Sequence, residues 1–334
     1  MNDIQRNLDL LACPRCSQRL SLETRLRCTG CRSEFEIEDD IPLLFWPNEW
    51  EEGGRDVTNQ VREFYEATPF PDYDEFDSRA SLAQKARQGV FARLLDEQLP
   101  TGIRVIECGC GTGQLSSFLS LANRSVFATD MSVRSLRLGQ RFAREHALDR
   151  VQFVQMNLFR PAFRPGAFQL VISNGVLHHT SDPFLAFRSI SRLIAPGGYI
   201  LVGLYHRYGR LITNARRLAF RLSGDRWTSL DPNLRRKDTS PEKRRAWFVD
   251  QYKHPHETRH TIGEAMRWVR ETGLELVRTI PSTRPGGGSL ESVALFEPES
   301  PGNAIERLVA ELGMIGSGSR EGGFFVAVAR RAAL

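Results

Sequence analysis

The chain has 334 residues, of which 41% are hydrophobic and 25% are charged, and its formal net charge is +5. This length allows one substantial α/β core with a small appended module, and the hydrophobic fraction is ordinary for a globular protein. The sequence has neither an apolar run of roughly 18 residues nor a signal-like N-terminus, so we expect a cytoplasmic protein without membrane insertion.

Four cysteines near the N-terminus form two Cys-x-x-Cys pairs, Cys13 with Cys16 and Cys28 with Cys31. Each pair can present two thiolates to one ion, and four soft ligands in a short span are typical of structural zinc. A module of about 40 residues has too little core to be stable alone, so bound Zn²⁺ would supply much of its folding free energy. Reduced spare thiols or a redox pair are the alternatives.

The stretches Leu10–Cys16 and Phe35–Leu44 resemble the small zinc-ribbon proteins that activate tRNA, rRNA and release-factor methyltransferases as a separate subunit. Residues 1–46 would then be such a ribbon fused in cis. The resemblance implies a structural or substrate-orienting role, because a four-cysteine site leaves no coordination position open for chemistry.

The next segment, residues 47–80, is expected to be a linker and a helix. Residues 47–56 are acidic and contain glycine, as linkers often do. Apolar residues at helical spacing predict a helix from Val57 to Ala67, and Pro69-Phe70-Pro71 then forces an extended turn. Three aromatic side chains here either line a site or pack against the ribbon: Tyr65, Phe70 and Tyr73.

Predicted helices and strands alternate over the following part of the chain. A helix from Ala80 to Leu99 leads into a first strand, and further strands alternate with helical stretches up to Tyr205. This alternation is typical of a parallel, doubly wound sheet. In such sheets, ligands bind beyond the carboxyl ends of the strands.

The first strand ends in a glycine-rich loop, Glu107-Cys108-Gly109-Cys110-Gly111-Thr112-Gly113, which allows a sharp turn and close approach to a ligand. A dinucleotide site would have its third glycine one residue later, where this chain has Gln114. Glu107 would repel phosphates but attract a cationic amino group, while Asp130 after the next strand can accept hydrogen bonds from ribose hydroxyls. These features favour S-adenosylmethionine, with a Rossmann domain for another cofactor as the alternative.

At these residues the chain resembles the class I S-adenosylmethionine-dependent methyltransferases. The resemblance continues through Leu170–His179 and Ile194–Tyr199, covers residues 81–206 well, and is looser after residue 261. It implies an α/β fold over residues 81–334, with a doubly wound, mostly parallel, seven-stranded Rossmann-like sheet, an antiparallel last strand and an N-terminal helix that closes over the cofactor. The implied cofactor-binding residues are Glu107, Gly109, Gly111, Gly113, Asp130, Met131, Asn157, Leu158 and Asn174.

Two histidines, His178 and His179, follow the fourth strand at its carboxyl end, where the transferred methyl group should lie. His179 is the first candidate for a base or substrate clamp, because histidine titrates near neutral pH, and His178 and Tyr65 are further catalytic candidates. Alternatively, one histidine caps the following turn and the other packs. The Asn/Asp-Pro-Pro-aromatic motif is absent at Asn174–Leu177, which argues against methylation of exocyclic base amines or glutamine.

Residues 207–260 are an insertion relative to the minimal fold and hold 14 Lys or Arg and 6 Asp or Glu, a balance of +8. Because the whole chain carries +5, the remainder carries −3. A cationic surface beside a cleft would concentrate RNA, phosphorylated metabolites or carboxylates. A solvated helical face is the alternative.

The insertion ends in His256-Glu257-Thr258-Arg259-His260, which matches the His-Glu-x-x-His motif of zinc proteases. That motif requires a helix, whereas Pro255 places the segment at a helix start, so we interpret the match as accidental. The surrounding polar residues are instead expected to form a substrate lid: His254, His256, Glu257 and His260 with Tyr205, His206 and Arg207.

We therefore predict an S-adenosylmethionine-dependent methyltransferase that acts on an oxygen or nitrogen of a small, anionic or phenolic metabolite, since Val176–His179 resembles the loop of small-molecule methyltransferases. RNA, above all tRNA, is the alternative acceptor. A non-catalytic binding module is the alternative of another class. The sequence does not determine the oligomeric state.

Overall fold

The structure, a computed structural model, describes residues 3–50, 56–70, 78–235, 240–284, 293–321 and 323–333. Tyr73 and residues 51–55 of the predicted linker therefore lie outside the described residues. The helices are Asp3–Arg6 (α1), Thr58–Ala67 (α2), Arg79–Gln88 (α3), Val90–Gln98 (α4), Gln114–Ser120 (α5), Val133–Glu145 (α6), Pro183–Ser191 (α7), Leu211–Ser223 (α8), Pro241–Lys253 (α9), Ile262–Glu271 (α10) and Ala304–Glu321 (α11).

The strands of the N-terminal segment are Leu20–Leu22 (β1), Leu26–Cys28 (β2), Glu34–Phe35 (β3), Ile37–Glu38 (β4) and Ile41–Leu44 (β5). Those of the larger body are Arg104–Cys108 (β6), Ser125–Asp130 (β7), Val151–Met156 (β8), Phe168–Asn174 (β9), Ile194–Tyr205 (β10), Glu275–Ile280 (β11) and Phe324–Arg330 (β12). None of the helices in the described ranges has the length and apolar content that a membrane crossing requires.

The described strands form a three-stranded antiparallel sheet, β1-β2-β3, and a nine-stranded sheet in the order β11-β12-β10-β9-β6-β7-β8-β5-β4. Neighbouring strands from β10 through β5 pair in parallel, and β12 lies antiparallel between β10 and β11. The predicted mostly parallel, doubly wound sheet with an antiparallel last strand is confirmed. The chain winds from β6 toward β8 on one side and then returns to β9 on the other, so β6 stands at the switch point where such sheets bind ligands.

The sheet has two strands more than the seven predicted, because the hairpin β4-β5 from the N-terminal segment joins its edge. Leu43 and Leu44 pair in parallel with Gln155 and Met156 of β8. Leu44 is fully buried in the same apolar cluster as Phe127 and Phe168, so hydrophobic burial ties the hairpin to the larger body. The predicted division of the chain at residue 46 stays a prediction.

The single helix predicted from Ala80 to Leu99 is wrong, because two helices, α3 and α4, meet at Gly89. Gly89 has extended backbone angles, φ −80° and ψ 118°, and serves as the C-cap of one helix and the N-cap of the next. A helical residue has ψ near −42°, so the hydrogen-bond ladder stops there and the chain changes direction. Leu82 and Leu94, one from each helix, are nevertheless both buried in one core cluster.

Candidate functional site

A cavity of about 1030 Å³ lies beyond the carboxyl ends of the parallel strands. The loop after β6 and the ends of β7, β8 and β9 form one wall. Side chains of α2, α3, α4, α9, α11 and β12 are among those that line the other sides. Sites for a single small ligand span roughly 300–1,000 Å³. The cavity lies at the upper end of this range, so a nucleoside-type cofactor fits within it.

The glycine-rich loop has the left-handed backbone that glycine permits, with φ of 82° at Gly109 and 75° at Gly113. A Cβ on Gly109 would stand 2.5 Å from the side chain of Val176, and one on Gly113 would stand 2.5 Å from the ring of Phe153. Gly109 and Gly111 line the cavity. Gly113 is the N-cap of α5 and packs beneath the loop, so it shapes the turn without lining the cavity.

Two carboxyl groups face this loop, one buried at Glu107 and one half-buried at Asp130. An oxygen of Glu107 accepts a hydrogen bond from Ser116 Oγ at 2.5 Å, and burial raises the pKa of Glu107 to about 7. Asp130 accepts hydrogen bonds from the backbone N–H groups of Gly111 and Ser132, each at 2.9 Å, and burial raises its pKa to about 6. Each carboxylate retains acceptor capacity, which suits an amino group at Glu107 and two hydroxyls at Asp130.

The remaining predicted cofactor residues, Met131, Asn157, Leu158 and Asn174, all line the cavity. The amide nitrogen of Asn157 donates to the carbonyl oxygen of Trp46 and to Asn48 Oδ1, both at 2.9 Å, so this residue also ties the N-terminal segment to the cavity wall. The Oδ1 atom of Asn174 is buried and has no hydrogen-bond partner within the described residues. A buried acceptor in this position fits a ligand that brings a donor.

His179 lines the cavity, and His178 is fully buried behind it. The Nδ1 atom of His179 lies 2.9 Å from the carbonyl oxygen of His256, and since a carbonyl only accepts, Nδ1 carries the proton. Burial lowers the pKa of His179 to about 3, so its ring is neutral with an unprotonated Nε2. His178 accepts from the backbone N–H of Tyr205 at 3.3 Å. His179 is therefore the residue that faces the cavity, whereas His178 packs behind it.

Tyr65 lines the cavity and donates a hydrogen bond from its hydroxyl to Asp250 Oδ1 at 3.1 Å. Sequence reasoning missed Asp250, which also lines the cavity, is 6% exposed and has a pKa raised to about 6 by burial. Gln251 donates from Nε2 to both Asp250 Oδ2, at 2.9 Å, and Tyr205 Oη, at 2.7 Å. Nothing local in the sequence distinguishes Asp250 from the other acids of the basic insertion.

The insertion reaches the cavity through α9, which contributes Lys243, Trp247, Asp250 and Gln251. Of the residues assigned to the lid, Tyr205 lines the cavity, and His254 packs its ring 3.7 Å from that of His179. The prediction that residues 256–260 form a helix start is wrong, because this segment is not helical and α10 begins only at Ile262. Its backbone instead bonds to the loop and strand beside it, as from Thr258 N to His178 O at 2.7 Å.

Glu257 is the centre of a buried ion cluster. It is 3% exposed and accepts from Arg210 Nη2 at 2.5 Å and from Arg217 Nη2 at 2.8 Å, while Arg210 itself is fully buried. Burial alone would raise the pKa of Glu257, but the two guanidinium groups hold it below its usual value. Arg210 also donates from Nη1 to Gln251 at 2.7 Å and stacks on the ring of Tyr205. The cluster therefore supports the side chains that orient Asp250.

The four N-terminal cysteines converge on one point, with all four Sγ atoms within 4.8 Å of one another. The Sγ atoms of Cys13 and Cys31 are 3.6 Å apart, and those of Cys16 and Cys28 are 3.4 Å apart. Tetrahedral zinc with bonds of about 2.3 Å needs sulfurs roughly 3.8 Å apart, so the donor set fits that ion. Within the described residues, this is the one His, Cys, Asp and Glu cluster with such convergence.

Residues 106–202 match the family model of a methyltransferase domain. An uncharacterized protein of Synechococcus is 30% identical over 195 residues, which cover 51% of this chain and 47% of that protein. A ubiquinone biosynthesis O-methyltransferase of Leptothrix cholodnii is 24% identical over 179 residues, or 53% of this chain and 66% of that enzyme. The chain thus spans about half to two thirds of the length of these relatives.

Among solved structures, PKMT2 from Rickettsia typhi in complex with AdoHcy is 15% identical to the chain. It matches with a TM-score of 0.49 over 78% of this chain and 55% of its own.

Proposed function

We propose that this protein transfers a methyl group from S-adenosylmethionine to an oxygen or nitrogen nucleophile of a small, anionic or phenolic metabolite. The match of residues 106–202 to a methyltransferase domain supports the reaction type. The observation that carries the proposal is the single cavity that joins the Glu107 and Asp130 cradle to Tyr65, His179 and Asp250. One ligand can thus lie on the glycine loop with a second beside it. When bound, S-adenosylmethionine supplies an electrophilic methyl group on a positively charged sulfur.

Residues of this chain would bind the cofactor, position the acceptor and accept its proton. Glu107 receives the amino group and Asp130 the ribose hydroxyls, which fixes the sulfonium in the cavity. In-line displacement forms the acceptor–methyl bond as the carbon–sulfur bond breaks and its electron pair returns to sulfur. The proton of an acceptor hydroxyl goes to Asp250, whose pKa of about 6 suits a base near neutral pH, whereas His179, with a pKa of about 3, suits a hydrogen-bond acceptor that positions the substrate.

The test is a transfer assay with methyl-labelled S-adenosylmethionine against separated metabolite, RNA and protein fractions of a cell extract. We expect label in the metabolite fraction. Calorimetry with S-adenosylmethionine decides whether the fold is catalytic at all, because folded protein that does not bind it would be a binding module of another kind.

RNA is the second candidate acceptor, because the insertion at residues 207–260 carries a net charge of +8. Labelling of the RNA fraction, with tRNA binding that weakens steeply as salt is added, would favour it. Binding indifferent to tRNA would exclude it.

Replacing Asp130 by asparagine should weaken S-adenosylmethionine binding roughly 30-fold, since a charge-assisted hydrogen bond contributes about 2 kcal/mol. The asparagine side chain would also place its own N–H donor against one of the two backbone N–H groups that donate to Asp130 in the wild type. Titration calorimetry measures the change. Asp149→Asn, at an exposed position, is the matched control and should bind as the wild type does.

Affinity for S-adenosylmethionine should fall as the pH falls, because a cationic ligand binds ionised Glu107 and the pKa of the free protein's carboxyl is about 7. A site with that pKa loses about tenfold in affinity between pH 8 and pH 6. The ligand's own amino group also titrates near pH 8. The pH dependence of affinity is therefore compared with that of Glu107→Gln. In this variant only the titration of the ligand and the smaller contribution of Asp130 remain. Equal pH profiles for both proteins would contradict the assignment of Glu107.

We propose that the N-terminal cysteines hold one structural Zn²⁺. Elemental analysis should find about one zinc per wild-type chain and none bound by Cys28→Ser, whose melting temperature should be lower. S-adenosylmethionine affinity should also fall, because Asn157 in the cavity wall is anchored to Trp46 at the end of the ribbon. Cys108→Ala, a buried cysteine outside the cluster, should keep its zinc, and folded wild-type protein without metal would refute the site.

A further inference from the structure

The C-terminal helix α11 turns its apolar side outward. Ile305 is 74% exposed and Val309 59% exposed, and the same side carries Leu308, Leu312 and Ile315. The inward side carries polar anchors, since Glu311 is buried and accepts from the backbone N–H of Gly263 at 3.2 Å. A helix on a globular protein normally buries its apolar stripe, so this exposed stripe calls for a partner.

A second exposed apolar stripe lies on α8, which packs beside α11. Leu211, Leu218 and Leu222 are 47%, 56% and 76% exposed, and their spacing of seven and four residues puts them on one side of the helix. The chain continues to Trp227, 56% exposed, and Leu230, 45% exposed. Two neighbouring helices thus each expose an apolar stripe, and we call the two stripes together the α8–α11 face.

The charge along α8 and the segment after it is positive. Arg221 and Arg226 are exposed on and just after α8, and residues 211–235 contain five arginines against two aspartates. The insertion as a whole carries +8, whereas the rest of the chain carries −3. Helices that lie in the interface of an anionic bilayer typically expose leucine and tryptophan side chains beside basic residues.

The α8–α11 face also lies next to the cavity. Met314, on the buried side of α11, lines the cavity, while Leu312 and Ile315 on either side of it point outward. The cavity wall there is apolar and includes Phe324, Phe325 and Val326 of β12. One helix therefore separates an apolar binding space from an apolar outer surface.

We propose that the α8–α11 face docks onto the surface of an anionic lipid bilayer, with α8 and α11 lying in the plane of the headgroups and the leucines and Trp227 reaching below them. Arg221 and Arg226 are exposed beside the leucines of α8, and anionic headgroups complement their charge. Since no helix of the described chain can cross a membrane, the contact is peripheral. It would bring the cavity close to acceptors dissolved in the bilayer.

The test is flotation of the full chain with vesicles of phosphatidylcholine alone and with vesicles containing 30% phosphatidylglycerol. We expect binding that requires the anionic lipid and weakens with salt. The triple variant Ile305→Gln, Leu308→Gln, Leu312→Gln should reduce partitioning roughly 100-fold, because it removes three partly buried apolar side chains in the bound state. Arg221→Gln with Arg226→Gln should reduce it about 30-fold, because each basic residue near an anionic surface contributes about 1 kcal/mol.

Arg141→Gln with Arg150→Gln, a pair of exposed arginines elsewhere on the chain, is the matched control and should float as the wild type does. S-adenosylmethionine binding, measured on every variant, confirms that each one is folded. Wild-type protein that stays unbound at low salt would overturn the proposal, as would binding that the triple variant keeps. A wild-type dimer that the triple variant converts to monomers, without vesicle binding, would also overturn it by assigning the face to a second copy.

Discussion

Replacing Asp250 by asparagine should slow methyl transfer at least roughly 100-fold, which is the usual contribution of a positioned general base. Asparagine keeps an oxygen that can accept from Tyr65 but cannot take a proton. The wild-type rate should rise with pH through about 6, the pKa of Asp250, because the ionised carboxylate is the active form. The variant should lose this limb of the profile while keeping its affinity for S-adenosylmethionine. The measurement is the initial rate of label transfer to the metabolite fraction that the wild type methylates.

His179→Gln is the matched comparison, since it changes the other candidate base in the same cavity. Its rate should fall less than that of the Asp250 variant, because a nitrogen with a pKa of about 3 has little basicity to lose. The opposite order would assign the base to His179. Equal rates for wild type and Asp250→Asn would indicate an acceptor that needs no base, such as a free amine.

Replacing Glu257 by glutamine should destabilise the protein by about 3–5 kcal/mol, because it leaves buried Arg210 without its counter-ion. Denaturant unfolding measures this loss. Glu264→Gln is the control. It removes an ion pair with Arg207, whose side chain is half exposed, so we expect the free energy of unfolding to change by less than about 1 kcal/mol. A Glu257 variant no less stable than the control would show that the cluster contributes little.

The combined variant Arg210→Met, Glu257→Met separates the cost of an unpaired charge from the value of the pair. It should recover much of the stability, because an apolar pair of similar volume often replaces a buried ion pair at little cost. Its methyl-transfer rate should still be low, since Gln251 loses the arginine that holds it beside Asp250. Stability and activity would then be separable at one cluster.

Local sequence predicted the features whose backbone is set by neighbouring residues. The glycine loop turns where Gly109, Gly111 and Gly113 allow positive φ, and the two Cys-x-x-Cys pairs each occupy a short turn. The break at Gly89 was missed, because both flanking segments have helical spacing and a lone glycine inside such a pattern is usually tolerated. The extended His256–His260 segment was misjudged for a related reason: its hydrogen bonds go to β10 and the loop after β9, far away in sequence.

The sequence by itself predicted the parallel sheet, the glycine loop after β6 and the two Cys-x-x-Cys pairs, because each rests on periodicity or on residue spacing within a short segment. Tertiary structure decided the rest of the site. Asp250 meets Tyr65 across 185 residues, and Leu43 pairs with Gln155 to bring the N-terminal hairpin onto the sheet. Such contacts depend on how distant segments pack after chain closure, and no local pattern encodes them. The same packing left the apolar side of α11 facing outward.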